Sequence, residues 1–234
     1  MKRWLKPLIV TVGIILVCLI TLGWFFKNMR GVQAHFTALP FEILGYPQDE
    51  VLLIGSSSMQ FWRTSTFDLG PLHTYNVGIA GTVVEEWKKH LPRLVLPFNP
   101  RAIVMFVGTN DMHGGEGSKS GEAVAAELEE FFDILNRELP GVPLYFISVT
   151  HTLARQTVWA DMDRCNSLVA RMAEERELLH FIDLSGVLRG PDGKPLPDIF
   201  VNDGLHLNTK GYALWTSVVR PILLDELSVD REAL

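Results

Sequence analysis

The sequence predicts an α/β fold, a three-layer α/β/α sandwich around a mostly parallel five-stranded sheet, preceded by one N-terminal transmembrane helix. Three observations predict it. Short apolar runs recur along residues 50–234, segments with apolar residues at helical spacing lie between them, and an uncharged apolar stretch precedes both. Strands alternating with helices of about ten residues or more imply parallel pairing through right-handed crossovers, with helices covering the sheet.

Residues 7–26 are uncharged and strongly apolar, long enough to cross the roughly 30 Å hydrocarbon core as a helix. Lys2, Arg3 and Lys6 precede this stretch and Lys27 and Arg30 follow it. The basic excess on the amino side places residues 1–6 in the cytoplasm and the domain that follows on the exported side, periplasmic or extracellular. A cleaved signal peptide is the competing reading. The stretch exceeds the usual core of about 7 to 15 residues and no small-residue cleavage site follows directly, which favours an uncleaved anchor. Residues 27–49 mix Gly31, Pro40, Gly45 and Pro47 with aromatics, as expected of a short tether partly packed on the domain at residues 50–234.

Within that domain, Val51-Leu52-Leu53-Ile54 reads as a buried strand stopped by Gly55-Ser56-Ser57-Ser58. A second short strand ends at Asn76-Val77-Gly78-Ile79-Ala80-Gly81, and residues 81–95 carry Val83, Val84, Trp87, Leu91 and Leu94 at near-helical spacing. A third strand, 102–107, ends at Gly108-Thr109-Asn110-Asp111. Residues 122–139, with Val124, Leu128, Phe131, Phe132 and Leu135, form the next amphipathic helix. A strand at 144–149, a helix at 159–178, a strand at 180–184 and a helix at 209–227 complete the series. Trp62, Trp87, Trp159 and Trp215 are packing residues, and Trp62 and Trp159 are also candidates for lining a substrate groove.

Beyond residue 30 the chain holds 16 basic against 27 acidic residues, a net charge of −11, which disfavours nucleic acid as a partner. Cys18 lies in the apolar stretch and Cys165 in the domain, so the two do not meet in a disulfide and give no compartment signal.

The chemistry is concentrated at strand ends. A serine exposed where a parallel strand turns sharply lies where open α/β sheets place their ligands. Its hydroxyl needs a base, and the base needs a carboxylate to orient it. Asp203 and His206 stand at i and i+3; on a helical turn both side chains share one side, with one ring nitrogen on the carboxylate and the other free for a serine. Taken singly, each motif reads as a polar turn or a helix cap. The two intervening strand ends give the pairing its weight, and spacing alone leaves Ser56, Ser57 and Ser58 all open as the nucleophile.

Four ordered blocks, Gly55-Ser56-Ser57, Gly78 within Asn76-Val77-Gly78, Gly108-Thr109-Asn110-Asp111, and Asp203-Gly204-Leu205-His206, carry a specific resemblance. Over roughly residues 50–227 the chain resembles the SGNH hydrolases of the GDSL esterase and lipase superfamily. The resemblance implies a flavodoxin-like α/β fold, no cofactor, and hydrolysis of acyl esters through an acyl-serine. Laying the family's Gly-Asp-Ser on Gly55-Ser56-Ser57 makes Ser57 the nucleophile, with Ser56 at the Asp position as in a Gly-Ser-Ser-Ser branch. Asp203 and His206 complete the triad, and the Ser57 amide, the Gly78 amide and the Asn110 side chain are the implied oxyanion donors. Glycine suits its role because no Cβ blocks the approach of substrate. Asp111 is expected to cap the following segment or brace its loop.

Other plans fit less well. Met59 stands where the nucleophile elbow of α/β-hydrolases needs a second glycine. His35, His73, His90, His113, His151, His180 and His206 show no paired ligand spacing, so no metal site is expected. His113 and His151 follow strands three and four, close to the predicted cleft; either is a candidate substrate contact, and a solvated or capping role is the favoured reading. The expectation is therefore a membrane-anchored serine ester hydrolase acting on a small-molecule, lipid or glycan ester. The alternatives are an O-acetyltransferase acting on cell-envelope glycans and a non-catalytic glycan-binding protein.

Overall fold

The computed structural model describes residues 28–227, so the predicted transmembrane helix at residues 7–26 lies outside the described residues. Among the described residues no helix is long and apolar enough to cross a membrane. Helix α1 (Met29–Leu44) comes first, followed by strand β1 (Val51–Gly55) and two one-turn helices, α2 (Ser57–Gln60) and α3 (Ser65–Asp68). Strand β2 (Thr74–Asn76), helix α4 (Val84–Leu94), strand β3 (Ala102–Phe106), helix α5 (Gly121–Glu138) and strand β4 (Leu144–Ile147) follow. Helix α6 (Trp159–Glu175), strand β5 (Leu179–Ile182), one-turn helix α7 (Ser185–Leu188) and helix α8 (Thr209–Glu226) follow to the end of the described residues.

All strand pairs are parallel, in the order β2-β1-β3-β4-β5. The predicted sheet was mostly parallel; the observed one is wholly so. Parallel strands buried on both faces read as continuous apolar runs, and β1 and β3 are buried at every position. Their side chains alternate between two cores. Leu52, Ile54, Ile103, Met105 and Phe146 face the side covered by α4, α5 and α6, whereas Leu53, Val104, Phe106, Tyr145 and Ile147 face α8. The covering helices follow their apolar spacing: Val84, Trp87, Leu91 and Leu94 on α4, and Tyr212, Trp215, Val219 and Leu223 on α8.

The chain steps from β1 outward to β2 and then back across β1 to β3. This reversal makes the carboxyl edge of β1 a topological switch point, the crevice in which open α/β sheets bind ligands. The loops after β2 and β3 therefore flank the turn after β1. The segment before the sheet also departs from expectation in form. Residues 29–44 are helical despite Pro40, with Ala34 and Ala38 buried against the domain.

Candidate active site

The serine turn is made possible by one glycine. Gly55 has φ +142°, and a Cβ there would come within 2.0 Å of the Phe106 carbonyl oxygen on β3. Only a residue without a side chain lets β1 turn while staying this close to its neighbour. The Ser56 amide then donates to Phe106 O at 2.9 Å, and the Ser56 side chain is buried in the turn. Ser57 opens α2, where the first amides of a helix lack intrahelical acceptors. The Ser58 carbonyl accepts the Tyr212 hydroxyl of α8 at 2.8 Å, tying this turn to the helix that follows the histidine loop.

Ser57 Oγ lies 2.9 Å from His206 Nε2. On the other side of the ring, His206 Nδ1 lies 2.6 Å from Asp203 Oδ2. Asp203 and His206 sit in a turn rather than on the helical turn that their spacing suggested. The Asp203 side chain builds that turn: its Oδ1 accepts the amides of Leu205 at 2.8 Å and His206 at 2.9 Å. The loop is closed by Val201 N donating to His206 O at 2.9 Å and by Asn208, which caps α8 through the amides of Lys210 and Gly211. Burial pushes the Asp203 carboxyl up, but the two amides and the His206 ring outweigh it and hold it down at about 2. An ionised Asp203 fixes Nδ1 as the donor and leaves Nε2 to accept the serine proton. The Phe61 ring stands edge-on to His206 at 5.1 Å, an apolar wall beside the base.

The proposed oxyanion residues occupy the flanking loops, but their groups are held differently. The Gly78 amide donates to Asn76 Oδ1 at 3.0 Å, so it can reach an oxyanion only by sharing or exchanging that bond. Gly78 has a packing reason to be glycine that the sequence reading did not give. A Cβ at this position would lie 2.7 Å from the Gln60 amide nitrogen, so the space belongs to the serine helix rather than to substrate. Asn76 also donates from Nδ2 to Met59 O at 2.7 Å, joining the loop after β2 to α2. Asn110 Nδ2 donates to Thr82 O at 3.0 Å, which leaves the second proton of its amide for a ligand. Asp111 caps the helix before it in sequence, its carboxylate accepting Val84 N at 3.2 Å, and braces the loop after it as expected, through Lys119 Nζ at 3.0 Å and the Lys119 amide on its carbonyl at 2.9 Å.

Several expected bystanders are indeed structural. His113 Nδ1 accepts Gly115 N at 3.1 Å, and His151 is buried, stacked on Trp159 at 4.7 Å and paired with Asp163 at 2.9 Å. Trp62 is fully buried beside Tyr212 and Trp215. Among the described residues no group of three or more His, Cys, Asp or Glu could hold a metal ion. Sequence reasoning assigned no role to Asn76, although an Asn two residues before a Gly is the signature of the side-chain turn it forms.

Comparison with known proteins is consistent with this geometry. Residues 58–214 match the model of the GDSL-like lipase/acylhydrolase family, and the chain belongs to that family of ester hydrolases. A longer Escherichia coli O18:K1:H7 protein, N-acylneuraminate cytidylyltransferase, is 25% identical over 176 residues, which are 74% of this chain and 40% of that protein. A GDSL-like lipase from Bacteroides thetaiotaomicron is 16% identical with a TM-score of 0.65 over 83% of this chain and 99% of that one. An acetyl-xylooligosaccharide esterase from Geobacillus Stearmophilus is 17% identical with a TM-score of 0.61 over 79% of this chain and 96% of that one. At these identities the two structures share the fold.

Proposed function

We propose that this GDSL-like acylhydrolase is a serine esterase that works through an acyl-serine at Ser57 and is held at a membrane by residues 7–26, with its catalytic domain on the exported side. The observation that carries the catalytic reading is the continuous line of contacts from Ser57 Oγ through His206 to Asp203, at 2.9 Å and 2.6 Å.

In this reading His206 Nε2 takes the Ser57 proton as Oγ attacks the acyl carbonyl, and Asp203 stabilises the imidazolium that forms. The tetrahedral oxyanion is met by the Ser57 amide, the second Asn110 proton and the Gly78 amide once it is shared with Asn76. His206 then gives its proton to the leaving alcohol, and water, activated in the same way, releases the acyl group. Acyl transfer differs only in the acceptor that meets the acyl-serine. The name of the Geobacillus neighbour, an acetyl-xylooligosaccharide esterase, and the Phe61 ring beside His206 support small acyl groups on larger alcohols as the substrates to try first.

The test is hydrolysis of a short-chain chromogenic ester by the full chain in detergent. Ser57→Ala and His206→Ala are each expected to abolish turnover while circular dichroism stays that of wild type. Wild-type turnover in Ser57→Ala would overturn the assignment.

A further inference from the structure

Helix α1 has two apolar faces, and the domain uses only one. Ala34 and Ala38 are buried, and Phe41 packs edge-on to Phe98 at 4.8 Å. Ion pairs of Arg30 with Glu86, at 2.7 Å, and of Glu42 with Arg93 pin the helix to α4 at both ends. On the opposite side lie Met29, Phe36, Pro40, Ile43 and Leu44. At 3.6 residues per turn these five fall within a stripe about 100° wide. The stripe faces solvent, with Phe36 63%, Ile43 71% and Leu44 85% exposed. Gln33 is the one polar residue within the stripe, and an exposed row of large apolar side chains of this kind marks an interaction site.

What covers it follows from the chain on its amino side. The apolar stretch ends at Phe26, three residues before Met29, a separation of about 10 Å at full extension. The amino end of α1 therefore starts beside any bilayer that the stretch enters. The helix is about 24 Å long, and its most exposed apolar residues, Ile43 and Leu44, lie at the far end. A helix standing away from the bilayer would carry those two into water. A helix lying along the surface puts the whole stripe at the boundary of headgroups and acyl chains.

We propose that α1 lies flat on the lipid surface through Met29, Phe36, Pro40, Ile43 and Leu44, and so sets the orientation of the catalytic domain. The proposal rests on the membrane-anchored reading and adds to it a defined pose. Thr37 and Phe41 of α1 line a groove of about 870 Å³ together with Gln60 and Gly78, and Gln60 ends the one-turn helix that Ser57 opens. With α1 on the lipid, this groove opens beside the headgroups, where an amphiphilic ester can enter sideways.

The test uses the full chain in phosphatidylcholine/phosphatidylglycerol nanodiscs, one chain per disc, in a Cys18→Ala background. An environment-sensitive fluorophore is attached at Phe36→Cys or Ile43→Cys, with exposed Lys194→Cys as reference. Both α1 positions are expected to emit to the blue of the reference, to be quenched by spin-labelled lipid, and to be protected from aqueous iodide by about five-fold. Iodide quenching equal to the reference, in a chain that alkaline carbonate does not extract from vesicles, would overturn the flat pose and leave the anchor standing. Extraction by carbonate would overturn the anchor and the pose together. Protection from iodide without quenching by lipid would assign the stripe to a protein partner and overturn the proposal.

Discussion

The loop that carries Asp203 and His206 and the loop that carries Gly78 use one device, a short polar side chain that accepts backbone amides just ahead of it, and they leave their functional groups in opposite states. Asp203 spends one oxygen on the amides of Leu205 and His206 and keeps the other for the imidazole, which is thereby aimed at Ser57. Asn76 spends its oxygen on the Gly78 amide itself. The proton-transfer half of the site is thus assembled before substrate arrives, whereas on the oxyanion side the Gly78 amide is bound up in the fold and must share a bond when charge develops. Preorganisation is therefore expected to be strongest along Ser57–His206–Asp203, and mutational cost should fall across the site in that order.

The largest effects are predicted on the assembled side. Ser57→Ala and His206→Ala should each lower kcat on the order of 10⁴-fold or more. Asp203→Asn should cost on the order of 10³- to 10⁴-fold through a misdirected tautomer, measured as kcat with the fold checked by thermal unfolding. On the other side, Asn110→Ala should cost about 10²- to 10³-fold in kcat with little change in KM, which would place its free proton on the transition state.

Asn76→Ala sharpens the comparison, because it frees the Gly78 amide while cutting the tie to Met59. Denaturant midpoints should show a loss of about 1 to 3 kcal/mol from the broken part-buried bonds, with kcat of the folded fraction falling less than about ten-fold. A loss as large as that of Asn110→Ala would mean that the Asn76–Gly78 bond works in catalysis and would erase the contrast between the halves. The smallest expected effect concerns Cys165, whose thiol is pushed up to about 12 by burial. It stays protonated at pH 8, so iodoacetamide should leave it unmodified in the folded chain and label it after unfolding, read by mass spectrometry.

Much of the frame was legible because it depends on burial. Strands β1 and β3 are apolar at nearly every position because both faces are covered, and α4, α5, α6 and α8 repeat apolar residues at helical spacing for the same reason. The four ordered blocks located the site for a related reason: Gly and small polar residues mark the strand ends in any sheet of this kind. The rest depends on directions that spacing does not encode. A separation of three residues left Asp203 and His206 equally compatible with a helix and with the turn observed. Spacing alone did not fix which of Ser56, Ser57 and Ser58 faces the base; the family resemblance chose Ser57, and in the structure Gly55 turning against Phe106 presents it to His206. Pro40 and Gly31 suggested a tether where packing of Ala34, Ala38 and Phe41 produces a helix. Asn76 was visible as part of a motif, but its engagement of Gly78 is a matter of side-chain geometry.

The most direct measurement is covalent. Wild-type chain and His206→Ala are treated with a fluorophosphonate, digested, and the modified residue is located by tandem mass spectrometry. A single adduct on Ser57 in wild type, with labelling strongly reduced in His206→Ala, is the predicted result. An adduct on Ser56 or Ser58, or equal labelling of the two proteins, would contradict it.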